Sequence, residues 1–84
     1  MRTKAAWITF IDAGRSASGK TRLWHVSAKE SGAVIGTVHW YAPWRKYCFS
    51  PNYKAIFEED CLWEIAAFIE RETRDHRESR LQGD

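Results

Sequence analysis

The feature that most restricts this 84-residue chain is a change of period near residue 58. Upstream, apolar residues alternate in short runs broken by Gly and Pro, the pattern of strands. Downstream, Cys61, Leu62, Ile65, Phe68 and Ile69 fall at i, i+1, i+4, i+7 and i+8, one face of a helix. A chain of this length makes one domain, so residues 1–84 are expected to fold as a single small unit. One helix covers one face of a sheet and leaves the other to water or to a partner. The predicted class is α+β: an antiparallel sheet of three or four strands with one C-terminal helix packed on one face.

Residues 21–28 (TRLWHVSA) and 33–41 (AVIGTVHWY) read as a hairpin turned at Lys29–Gly32. Pro43 breaks the pairing because it lacks an N–H donor. Residues 45–50 (RKYCFS) then give a third strand, stopped by Pro51. Residues 5–12 (AAWITFID) are expected to form a first strand or an ordered arm, and 13–20 (AGRSASGK) a loop of small residues. The helix is expected from about Glu59 to Arg77. Glu58, Glu59 and Asp60 at its start and Arg71, Arg74 and Arg77 toward its end complement the helix dipole. Glu70–Arg74, Arg71–Asp75 and Arg74–Glu78 have the spacing of ion pairs, and Ser79–Asp84 is expected to fray. Alternation places Tyr47 and Phe49 on one face of the third strand and Lys46, Cys48 and Ser50 on the other. Trp40, Tyr47 and Phe49 are expected beneath the helix, and Cys61 is read as a small buried hydrophobe.

The net charge is only +2, but its sign is unevenly spread. Residues 1–54 hold nine Lys or Arg against Asp12 and Glu30, and residues 55–84 hold four Arg against nine acids. Ten of the twelve aromatic side chains precede Glu58, in the basic part, and cations mixed with rings suit ligands that carry phosphates and bases. The pI of about 8.7 argues against duplex nucleic acid, because the acidic helix cancels much of the field. No apolar run is long enough to span a membrane and no signal-peptide pattern is visible. Two cysteines are too few for a disulfide framework, so free thiols and a cytoplasmic setting are expected.

Gly14–Thr21 reads G-R-S-A-S-G-K-T and matches the phosphate-binding pattern G-x-x-x-x-G-K-[ST]. An NTPase is nevertheless excluded on sequence grounds. The loop should open a helix, yet a strand follows, and 84 residues cannot supply the parallel sheet. His25, His39, Cys48, Cys61 and His76 show no metal-ligand spacing, so no metal is expected. No nucleophile signature appears either, and a non-enzymatic protein without cofactor is expected. The densest constellation is Trp40–Tyr53, W-Y-A-P-W-R-K-Y-C-F-S-P-N-Y, with six aromatic residues around Arg45 and Lys46. Its candidate binding residues are Tyr41 and Trp44 to stack on a base, Arg22, Arg45 and Lys46 to hold phosphate, and His39 to bond ribose or phosphate.

The run W-Y-A-P-W-R-K-Y-C-F-S-P, followed by F-E-E-D-C-L-W-E-I-A-A-F-I-E, resembles a family of short, mostly uncharacterised proteins of tailed phages and prophages. The matching positions are Trp40, Tyr41, Trp44, Arg45, Tyr47, Cys48, Phe49, Pro51, Cys61, Leu62, Ile65, Phe68 and Ile69. The resemblance covers about residues 21–72. It implies a small accessory protein acting in the host cytoplasm, one that binds and neutralises something of the host. The expected function is sequestration of a nucleotide-like defence signal. An inhibitor of a host protein using the same aromatic and arginine surface is the alternative, and single-stranded nucleic-acid binding a third. A homo-oligomer that buries the uncovered sheet face is expected.

Overall fold

A computed structural model describes residues 7–81 of the chain, with side chains described for residues 7–79. Four strands, β1 (Ile8–Arg15), β2 (Arg22–Ala28), β3 (Val34–Tyr41) and β4 (Lys46–Pro51), precede one helix, α1 (Glu59–Leu81). The strands form an antiparallel meander in the order β1-β2-β3-β4. The architecture is the expected α+β sheet with a single helix against it.

Register decides which side chains meet α1. Phe10 lies opposite Val26, and Val26 opposite Gly36. Trp24 lies opposite Val38, Val38 opposite Phe49, and Trp40 opposite Tyr47. These rows face the helix, which closes them with Ile65 and Phe68. Val26 and Val38, at the centre, are fully buried. Large rings fill the rest of the thin core. Phe68 stacks on Phe10 with centroids 3.9 Å apart and meets the edge of Trp24 at 4.9 Å. Tyr47 meets the edges of both Trp24 and Trp40 at 5.2 Å. Trp40 and Phe49 are partly buried against this cluster, so the three rings expected beneath the helix are there.

Gly36 makes room for one of them. A Cβ at this position would run into the Phe49 ring and stand 2.7 Å from the Ser50 carbonyl oxygen.

The helix begins where its acids predict. The Glu58 carboxylate accepts the Cys61 N–H at 2.7 Å, and the Glu58 carbonyl accepts the Leu62 N–H at 3.1 Å. Glu58 is thus an N-cap, and the Cys61 N–H holds its carboxyl below the usual carboxylate range. Cys61 is partly buried, and that burial pushes its thiol pKa up.

Two boundaries and one set of contacts differ from expectation. First, β1 runs to Arg15, into the expected loop. The Asp12 carboxylate accepts the Gly14 N–H at 2.8 Å, Gly14 takes φ 101°, and the register shifts between Asp12 and Arg15. A bulge of this kind lets pairing resume beyond it. Residues 5 and 6 of the expected first strand lie outside the described residues. Second, α1 continues through Leu81, one turn beyond Arg77, because no Gly or Pro interrupts the polar run before Gly83. The expected frayed end is therefore helical as far as Leu81, and residues 82–84 lie outside the described residues. Third, among the described residues the expected pairs four apart give way to neighbours, Arg71 with Glu72 at 3.6 Å and Arg74 with Asp75 at 3.7 Å. Arg71 is drawn over the Phe68 ring, 5.3 Å from its centroid.

The second half of α1 does more than cover a face. The Tyr47 N–H donates to the Thr73 hydroxyl oxygen at 3.0 Å, and Thr73 is buried. A guanidinium nitrogen of Arg77 donates to the Arg45 carbonyl at 2.8 Å. The helix therefore satisfies one backbone group of β4, the sheet's last strand, where an open edge would invite another chain, and one of the residue just before it.

The far face of the sheet is not the aromatic surface the composition suggests. Register turns Phe10, Trp24, Trp40, Tyr47 and Phe49 toward α1 and leaves Thr37, His39, Cys48 and Ser50 on the other side. Among the strand residues Tyr41 is the one Phe, Tyr or Trp on that face.

Candidate functional site

Four of the six candidate residues come together where β3 turns into β4. Tyr41 ends β3 and Lys46 opens β4 directly opposite it. Between them lies the loop Ala42–Arg45. Its geometry is set by two backbone bonds onto the Tyr41 carbonyl, from Trp44 at 3.2 Å and from Arg45 at 3.0 Å. Pro43 fits because no such bond is asked of its nitrogen. Arg45 takes φ 54°, the left-handed region that a side chain disfavours. A non-glycine residue held there on an exposed loop is the kind of local strain that accompanies function.

The Tyr41 and Trp44 rings meet edge to face, with centroids 5.0 Å apart at 79°. Trp44 is 66% exposed and Tyr41 40%. Arg45 and Lys46 are exposed beside them. Arg77 joins them from the helix through its bond to the Arg45 carbonyl. Nothing local in the sequence marks Arg77 for this site, because the contact spans 32 residues. The result is a projecting pair of rings with three cations around it.

His39 sits one row inward on the same face, opposite Cys48. Its Nε2 lies 2.7 Å from the Ser50 hydroxyl and its Nδ1 3.3 Å from the Trp40 carbonyl. The carbonyl only accepts, so Nδ1 carries a proton. Both ring nitrogens are engaged, and His39 stiffens the β3–β4 pair instead of reaching toward the turn.

The sixth residue, Arg22, is not brought to the others. Alternation along β2 puts it on the helix side with Trp24, whose ring it covers at 4.8 Å. It pairs with Asp12 at 2.6 Å, and its main-chain N–H donates to the Tyr47 hydroxyl at 3.2 Å. The Gly14 N–H, and then Arg22, hold the Asp12 carboxyl below the usual range.

The Gly14–Thr21 motif takes the form of a hairpin loop. Ser16 N–H bonds the Thr21 carbonyl at 2.8 Å, Gly19 N–H the Ser16 carbonyl at 2.9 Å, and Lys20 N–H the Ser18 hydroxyl at 3.3 Å. These amides are used within the loop, where a phosphate cradle needs them free. The chain then enters β2, not a helix.

Concavities open along α1. One of about 820 Å³ is lined by Lys46, Trp63, Ala66, Glu70, Arg74 and Arg77 among others. A second, of about 510 Å³, continues it past Phe57, Glu59 and Leu62. Of the six candidate residues only Lys46 borders these two. No group of three His, Cys, Asp or Glu among the described residues is placed to hold a metal. No described helix is long and apolar enough to cross a membrane. No family model, curated protein or solved structure matches the chain.

Proposed function

We propose that the chain is a non-catalytic binding protein whose β3–β4 turn, with Tyr41, Trp44, Arg45 and Lys46, anchors it to an acidic surface of a partner protein. The observation that carries the reading is shape: the rings project from the end of a hairpin instead of lining a cavity. Projecting Trp and Tyr flanked by Arg is the composition of an interface hot spot, in which a few residues dominate affinity. The hydrogen-bonded loop pre-organises the rings, which lowers the entropy lost on docking. The resemblance to short phage proteins supports looking for that partner among the proteins of a host cell.

The test is affinity capture by immobilised wild-type, Trp44→Ala and Arg45→Glu protein from nuclease-treated host lysate. The expected result is one stoichiometric protein retained by the wild type and released by both variants. The expected loss at Trp44 is about 30-fold or more, the size of a hot-spot truncation of ~2 kcal/mol. Capture that ignores both substitutions overturns the reading.

Sequestration of a phosphorylated nucleotide is the second reading, favoured by the exposed Trp44 ring lying next to Arg45, Lys46 and Arg77. A ring offers a base its π face while guanidinium pairs with phosphate. Calorimetry with cyclic and linear nucleoside phosphates separates the two. Saturable heat that disappears in Trp44→Ala supports the nucleotide, and its absence leaves the protein partner.

A further inference from the structure

The flank of α1 that borders β4 carries Glu59, Trp63, Ala66, Glu70, Arg74 and Arg77, three or four residues apart and so in one stripe. The two concavities described above meet on it, both lined by Trp63 and Ala66. Leu62 and Trp63 are each 52% exposed there. Charge along the stripe is polar end to end. Glu58 and Glu59 mark the helix start, whereas Lys46, Arg74 and Arg77 outnumber Glu70 and Glu78 toward the other end. A ligand of one sign suits only half of such a groove. An occupant with the same pattern, reversed, sets an acid of one copy against a base of the other at both ends, Glu59 against Arg77.

We infer that the occupant is a second copy of this chain, its helix running antiparallel to the first. Such a contact is isologous and closes on itself. A two-fold axis near position 68 lays Glu59 of one copy beside Arg77 of the other, and Trp63 beside Arg74. Arginine over an indole face adds a cation–π attraction. Ala66, near the axis, lets the helices approach closely. The paired stretch, 59 to 77, is about 27 Å long at 1.5 Å per residue. The polar far face of the sheet, the surface expected to need a partner, stays in water. The Trp44 turns come to opposite ends of the pair; Lys46 and Arg77 border both surfaces, so the mass of the free protein tests the pairing and capture through Trp44 tests the turn.

Sedimentation equilibrium of the full chain at about 100 μM, above the Kd of a weak protein contact, tests it. The wild type is expected at twice its 9.8 kDa mass. Ala66→Glu, which would face Glu70 of the other copy, and Glu59→Arg, both on exposed positions, are expected to be monomers with unchanged far-ultraviolet circular dichroism. The double variant Glu59→Arg/Arg77→Glu, which exchanges the two charges, is expected to recover the dimer. A monomeric wild type overturns the inference. So does a dimer that survives Ala66→Glu and Glu59→Arg, since it would be held by another surface.

Discussion

A methyl group at Gly36 has no place to go, with the Ser50 carbonyl on one side and the Phe49 ring on the other. The ring can turn, but the carbonyl belongs to the neighbouring strand. Gly36→Ala is therefore expected to destabilise the fold by about 1–3 kcal/mol, the usual range for overpacking. Chemical denaturation measures it as a lower midpoint at unchanged slope. Arg45 presents the opposite case. Its left-handed backbone costs about 1–2 kcal/mol, whereas glycine there would lose about 0.5–1 kcal/mol more chain entropy on folding. Arg45→Gly is expected to leave the melting temperature unchanged or slightly raised while partner binding falls. A clear drop in melting temperature would show that the side chain holds the fold rather than the partner.

Two contacts join whole elements. The Thr73 hydroxyl takes up the Tyr47 N–H and so ties α1 to β4. Thr73→Val keeps the shape and removes the acceptor, leaving a buried donor unpaired at about 1–3 kcal/mol. Hydrogen exchange at the Tyr47 amide is expected to quicken in Thr73→Val and to stay slow in Thr73→Ser. At the other end of α1 the Glu58 cap depends on pH. Its folded pKa lies below the unfolded value, so its contribution is complete above the unfolded pKa of about 4.3. It is lost as pH falls through the folded pKa. Glu58→Ala is expected to be less stable than wild type at pH 6, with the gap closing below about pH 4. Asp12, depressed by the Gly14 N–H and Arg22, adds to the acid sensitivity in the same direction. Parallel stability curves for wild type and Glu58→Ala from pH 3 to 7 would remove the cap from this account.

At the scale of the whole molecule one helix divides the two sides of the sheet. Cys61 lies on the helix among the apolar residues against the core, and burial raises its thiol pKa. Cys48 lies on the far face, opposite His39. A thiol reagent at pH 8 is expected to modify Cys48 first in native protein, and Cys61 at a comparable rate only after denaturation. Equal native rates would mean that α1 lifts from the sheet on that timescale. Sequence periodicity alone was sufficient for the class, the hairpin of β2 and β3, the helix start and the rings beneath α1, because alternation and the 3.6-residue period are local properties that burial enforces. It also placed Tyr41, Trp44, Arg45 and Lys46 together, since a tight turn brings near neighbours into contact. Pairing and packing across the fold decided the rest. They drew Arg22 to the helix side with Asp12 and Trp24, engaged both nitrogens of His39, and brought Arg77 to the turn from 32 residues away. Those outcomes rest on register and on where a helix crosses a sheet, and both are set by the summed fit of distant side chains rather than by any short run of residues.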